Sequence, residues 1–213
     1  MDYPEELKSS QHGVETYLNA MFSSPGTFLE IGAWNGELIS QTWWLETKRG
    51  WNGLCVDPFA WGFENRTCKL CQKAVSVDGL PRQFVKVTTD RRTGGDVSYF
   101  SGFMDSLKVH WPMIIEHCDY EIAEIETITF DDLMKEYQMP NHVEFLSIDA
   151  EGAELEIFKG IDFSKYSFDV IDYEHNEDPK VKYEVGRLLE AAGYRHWVSL
   201  RVDSLYVHHS KQP

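Results

Sequence analysis

Apolar residues along the chain fall into short continuous runs separated by stretches of helical spacing. Ser10 to Phe22 reads as a short amphipathic helix that stops at Ser23-Ser24-Pro25-Gly26. Thr27 to Ile31 is a compact apolar run that closes in the glycine turn Glu30-Ile31-Gly32-Ala33-Trp34-Asn35-Gly36. Glu37 to Lys48 then has helical spacing through Leu38, Thr42 and Leu45, with Gly50 near its end. The unit repeats with Gly53 to Val56, which ends in Asp57-Pro58; a brief helix through Phe63 and a third strand over Lys69 to Val75 are expected to follow.

Regular alternation resumes late in the chain. Thr129 to Tyr137 reads as a helix, with Thr129 as N-cap and Asp131 and Asp132 in the first turn, where they complement the helix dipole. Val143 to Ile148 is a buried strand, Ala153 to Lys159 a helix, and Phe168 to Ile171 a strand leading into Tyr173-Glu174-His175-Asn176. Lys180 to Ala192 is helical and ends at Gly193, and strands around Tyr194 to Leu200 and Ser204 to His208 close the pattern. Uniformly apolar strands that alternate with helices predict an α/β fold, with a mostly parallel sheet covered on both faces and an antiparallel hairpin at its edge. Between Asp78 and Asp119 the periodicity is poor apart from a strand at Gln83 to Thr88, so residues 78–119 are expected to be an insertion that covers a pocket.

Composition narrows the function. A length of 213 residues with 42% hydrophobic content suits one domain over residues 1–213. The net charge of −15 repels phosphate backbones and anionic lipid, so neither nucleic acid nor a membrane is expected as partner. No run approaches the length of a membrane span, and Met1 to Glu6 lacks the basic and apolar blocks of a secretory leader; a soluble, cytoplasmic protein is expected. The four cysteines form no disulfide framework, and Cys68-Lys69-Leu70-Cys71 lacks the second ligand pair of a zinc site, so these read as ordinary strand thiols.

In an open parallel sheet, ligands bind at the carboxyl ends of the strands. The first such end, Glu30-x-Gly32-x-x-x-Gly36, is a turn in which glycines permit close approach, and it differs from the pyrophosphate-binding G-x-G-x-x-G pattern. Asp57, at the second, can accept hydrogen bonds from both ribose hydroxyls of an adenosine ligand. Ser147-Ile148-Asp149-Ala150-Glu151-Gly152-Ala153-Glu154 crowds three carboxylates at the end of another strand, and Asp172-Tyr173-Glu174-His175-Asn176 follows the next. Asp149 with Glu174 and Asn176 is a candidate oxygen site for a hard divalent cation such as Mg²⁺, and His175 is a candidate general base for a substrate hydroxyl. Of the seven tryptophans most are expected in the core, while Trp61 and Trp111, with Tyr99 and Phe100, lie in loops and could face an acceptor. His110, His196, His208 and His209 have no partner pattern and are expected at the surface.

These residues resemble the FkbM-type family of class I methyltransferases. The matching stretches are Ser10-Gln11-His12-Gly13, Phe28 to Ala33, Ile39 to Thr42, Gly50 to Pro58, Asp131-Asp132-Leu133, Val143 to Glu154 and Tyr173 to Asn176. The D-x-E-G-x-E element at Asp149 to Glu154 is the most specific, and the insertion matches least. The resemblance implies a Rossmann-like seven-stranded fold, S-adenosyl-L-methionine as methyl donor, and O-methylation of a small-molecule hydroxyl, frequently on a sugar or polyketide; a sugar or glycan is the acceptor expected here. Carried over by position, Glu30, Gly32 and Gly36 would line the methionine side of the donor, Asp57 the ribose, and Ala74 and Val75 the adenine. Asp149 would lie between donor and acceptor. The resemblance transfers no acceptor residues; the strand-end placement of Asp149, Glu174 and His175 makes these three the candidate acceptor-side constellation. Two other readings stay open: a catalytically silent adenosine- or partner-binding module, and a nucleotide-sugar oxidoreductase.

Overall fold

A computed structural model describes residues 10–211, so the Met1–Glu6 segment lies outside the described residues. The chain forms, in order, α1 (Val14–Met21), β1 (Thr27–Ile31), α2 (Trp43–Arg49), β2 (Asn52–Val56), β3 (Lys69–Cys71), β4 (Ala74–Val75), β5 (Arg82–Asp90), β6 (Gly102–Phe103), α3 (Trp111–His117), β7 (Cys118–Ile125), β8 (Thr127–Ile128), α4 (Phe130–Glu136), β9 (His142–Ile148), α5 (Glu154–Gly160), β10 (Ser167–Glu174), α6 (Pro179–Ala191), β11 (Tyr194–Leu200) and β12 (Asp203–His208). Seven strands make the main sheet in the order β11-β12-β10-β9-β1-β2-β3. β12 runs antiparallel to both its neighbours and the remaining pairs are parallel. This is the mixed α/β architecture that the apolar runs predict, including the antiparallel pair at one edge.

Period-two alternation explains why the inner strands are apolar throughout. Leu29, Leu54, Leu146 and Ile171 face one side, where they pack with Leu133, Phe158 and Leu189 from α4, α5 and α6. Their neighbours Phe28, Cys55, Phe145 and Val170 face the other, against Leu18 of α1 and Trp44 and Leu45 of α2. Helix starts follow their caps: Thr129 Oγ1 accepts from the Asp132 N–H at 3.1 Å, and Asp178 Oδ1 from the Lys180 N–H at 2.8 Å.

Two expectations need correction, and the insertion is more regular than its sequence pattern suggests. The helix expected from Glu37 begins only at Trp43, because side chains take its backbone donors first: Asn35 Oδ1 accepts from the Glu37 and Leu38 N–H groups, and Glu30 accepts from the Gln41 N–H. The strand expected over Lys69 to Val75 is two strands, since the chain leaves the main sheet after Cys71 and Ala74–Val75 pairs in parallel with β8. The poorly periodic insertion is an ordered lobe, an antiparallel sheet β6-β5-β7 with its own small core of Val85, Val87, Leu107, Ile114 and Cys118. Its strand β7 escapes a periodicity reading because apolar Tyr120 and Ile122 are exposed, as is Glu121 between them.

Candidate functional site

A cleft of ≈ 1140 Å³ opens where β1, β2, β9 and β10 end, with the lobe on its far side. Gly32, Asp57, Asp149 and Glu174 line it from the sheet, Ala74 and Val75 from β4, and Ser98, Tyr99, Phe100 and His110 from the lobe. Gly32 has φ +88°, and a Cβ there would lie 1.5 Å from the Asp149 carbonyl oxygen. Only glycine allows β1 and β9 to stay this close where the Asp149 N–H donates to the Ile31 carbonyl at 2.9 Å.

Asp57 accepts from two backbone donors, Trp34 N–H at 3.0 Å and Phe59 N–H at 2.8 Å. Burial outweighs these bonds and, with the charge of Glu30 nearby, pushes its carboxyl up to about 6. The bond from Trp34 holds that residue at φ 42°, a conformation rare for a large side chain. So placed, the Trp34 indole donates to Ser98 Oγ of the lobe at 2.8 Å and meets the rings of Trp61 and Tyr99 edge-on.

On the other side of the cleft, Asp149, Glu151 and Glu174 bring carboxylate oxygens within 4.8 Å of one another. Burial and mutual repulsion raise Asp149 and Glu174 well above the usual carboxylate range. The Asn176 side-chain amide donates to Glu174 at 2.8 Å, and Asp149 Oδ1 is buried without a hydrogen-bond partner. Glu151 instead faces the lobe, its Oε2 3.1 Å from His110 Nε2. Glu154 braces the turn from below, accepting from the Ala150 and Gly152 N–H groups at 2.9 and 3.1 Å. A Cβ on Gly152 would lie 2.4 Å from the Ser106 carbonyl oxygen, so the lobe seats directly on this turn.

Not every expected site residue reaches the cleft. Glu30 is 3% exposed and lies beneath it, accepting from Ser40 Oγ at 2.9 Å, the Gln41 N–H at 2.7 Å and Thr42 Oγ1 at 2.5 Å. Gly36 packs against the Phe63 ring, 2.6 Å from where its Cβ would be. Both shape the loop after β1 from behind. His175 lines a second cavity of ≈ 470 Å³ and not the main cleft; its Nδ1 accepts from the Glu177 N–H at 3.1 Å, and burial lowers its pKa. The oxygen group gathered around Asp149 and Glu174 is completed by Glu151, with Asn176 acting as a donor to Glu174. Of the loop aromatics, Trp61, Tyr99 and Phe100 line the cleft, whereas Trp111 packs on Tyr120 outside it. His110, read from the sequence as a surface residue, is half-buried in the cleft wall. No helix of the described residues is long and apolar enough to cross a membrane.

A sequence model of the methyltransferase FkbM domain matches residues 30–196, a span that runs from the end of β1 into β11 and includes the lobe. No curated protein and no solved structure matches the chain.

Proposed function

Because the chain belongs to the FkbM methyltransferase domain family, we propose that it is an S-adenosyl-L-methionine-dependent O-methyltransferase acting on a hydroxyl of a small molecule, with a sugar or glycan as the foremost acceptor. One observation carries the reading: a single cleft joins a half-buried acceptor carboxylate on the β2 side, Asp57, to a carboxylate cluster on the β9 and β10 side. Gly32, Asp57, Ala74, Val75 and Asp149 border the part of the cleft that suits an adenosine-bearing donor. The fit is chemical as well as spatial. Asp57 offers acceptor oxygens to a ribose diol, and the backbone at Gly32 carries no side chain into the space.

When bound, the sulfonium supplies an electrophilic methyl group and a neutral thioether leaving group. What the chain must add is alignment and removal of the acceptor's proton. Asp149 and Glu174 are the groups we assign to the acceptor side. Tyr99 and Phe100 on the lobe and Trp61 in the loop after β2 give the cleft apolar ring faces against which a sugar ring can lie. His175, outside the cleft, receives no part in this reading.

Thermal unfolding in the presence of S-adenosylmethionine, S-adenosylhomocysteine or NAD tests the donor site. A ligand at about 100 times its Kd stabilises by about 2.7 kcal/mol. Stabilisation by the two adenosyl compounds and not by NAD is expected, and stabilisation by NAD alone would point to an oxidoreductase. Transfer of labelled methyl to a panel of glycosides then tests the reaction. Binding without transfer to any hydroxyl would identify a silent module. Loss of turnover in EDTA, restored by Mg²⁺, would place a divalent cation among the carboxylates, whereas indifference to EDTA leaves the proton to side chains alone.

A further inference from the structure

The imidazole that the sequence suggests for the acceptor side, His175, lies outside the cleft, yet the cleft does contain imidazoles. Among the described residues two histidines line it, His12 and His110. His12 is engaged, its Nδ1 2.7 Å from Asp203 Oδ2. His110 is placed differently. It precedes α3 in the lobe, its ring packs on Phe100 with centroids 5.0 Å apart, and Phe100 in turn packs on Tyr99 at 4.4 Å. Its Nε2 lies 3.1 Å from Glu151 Oε2, a contact between two buried atoms of which neither has a well-aligned hydrogen bond among the described residues. Asn176, which donates to Glu174, lies beside the ring.

We propose that His110 is the catalytic base of this enzyme, delivered to the reaction by the inserted lobe; the inference rests on the methyltransferase reading above. A carboxylate oxygen 3.1 Å from Nε2 favours the ring's proton on that nitrogen and makes Nδ1 the nitrogen that accepts a proton, the same logic by which an acidic residue orients a catalytic histidine in hydrolases. Nδ1 takes the acceptor's hydroxyl proton as the oxygen lone pair forms the new C–O bond. The methyl–sulfur bond breaks with its electron pair left on sulfur, so the sulfonium charge is exchanged for an imidazolium beside Glu151. Sheet and lobe thus divide the work. The donor side is built on strand ends, and the base arrives on the inserted lobe.

The test compares wild type, His110→Gln and His110→Ala in methyl transfer to whichever glycoside of the panel wild type methylates, alongside S-adenosylhomocysteine affinity. Removing a general base lowers kcat by roughly 10²- to 10⁴-fold. That loss is expected in both variants with cofactor affinity held within about twofold, and added imidazole should restore part of the turnover of His110→Ala only. An independent readout needs no turnover: the His110 ring C2–H resonance, assigned by its absence in His110→Gln, should shift when the glycoside is added to the S-adenosylhomocysteine complex. Full turnover in His110→Gln, or an unmoved resonance, overturns the assignment while leaving the methyltransferase reading intact. Loss of cofactor binding in both variants would show a structural residue and overturns it as well. Failure of wild type to methylate any acceptor overturns both.

Discussion

Gly32→Ala is the most direct perturbation of the donor side of the cleft. The added Cβ would be 1.5 Å from the Asp149 carbonyl oxygen, so that oxygen must retreat by roughly 2 Å to reach ordinary contact. Such a retreat pulls apart β1 and β9 where the Asp149 N–H meets the Ile31 carbonyl. Overpacking of this kind costs about 1–3 kcal/mol, the left-handed backbone about 1–2 kcal/mol more for alanine, and the strained interstrand bond about 1 kcal/mol. With a urea slope of about 2 kcal/mol/M, the unfolding midpoint should fall by roughly 1.5–3 M. Gly94→Ala is the control: Gly94 has φ +74° but no atom within 4 Å of a Cβ, so it reports backbone strain without the collision. Any folded Gly32→Ala protein should also lose adenosyl-ligand affinity, because Asp149 is displaced. A midpoint no lower than that of Gly94→Ala, with S-adenosylhomocysteine bound as tightly as by wild type, would refute the close approach of the two strands as the reason for this glycine.

The other expected outcomes concern groups that touch the cleft or sit just behind it. Donor affinity, measured by calorimetry, should weaken as pH falls through about 6, by up to tenfold per unit, because a bound ribose needs the Asp57 carboxylate and the free protein holds a proton there. For folding the sign is opposite: the raised pKa favours the native state at low pH, and that contribution fades as pH rises through about 6. Asp57→Asn should remove the pH dependence of binding and cost about 10- to 100-fold in affinity at neutral pH, the worth of hydrogen bonds to a charged group. Glu30→Gln should destabilise the fold by about 3 kcal/mol in chemical denaturation, since a buried acceptor of several donors becomes partly a donor, yet the folded fraction should bind donor normally because Glu30 does not line the cleft. Trp34→Phe keeps the ring packing but removes the bond to Ser98, so hydrogen exchange in β5 and β6 should quicken while global stability falls by only about 1 kcal/mol.

What the sequence reveals, and what it hides, follows from the range of the interactions involved. β1 is predicted at its observed bounds, Thr27–Ile31, and β2, β9 and α6 within a residue, because burial on both faces and local caps are written into neighbouring positions. The start of α2 is hidden, since it depends on Glu30 capturing donors from residues 40 to 42 after the strand has folded. Alternation also separates residues that look equivalent in a motif. Leu29 and Ile31 pack with α4, α5 and α6, so Glu30 between them must face the α2 side, beneath the cleft. The same rule separates Glu174 from His175. If β10 is ended at Ile171, where its apolar run stops, the two appear to share a site; with the strand continuing to Glu174, consecutive side chains diverge and only the carboxylate enters the cleft. His110 has no local signal at all, because its partners Glu151 and Asn176 belong to strand-end turns remote in sequence.

The Asp149 to Glu154 element shows why a compact motif can serve two parts of a molecule at once. Asp149 faces the cleft, while Glu154 holds the turn in shape through two backbone N–H groups. The two residues between them with special roles point to the lobe: Glu151, at φ 50°, meets His110, and Gly152, at φ +99°, gives Ser106 room to approach. A side chain at Gly152 would push against the Ser106 backbone and carry the lobe, with His110, away from Asp149 and Glu174. The strained turn therefore fixes the distance between the sheet-borne carboxylates and the lobe-borne imidazole. On the proposed function, the glycine of the motif serves the acceptor side and the glycine at position 32 the donor side.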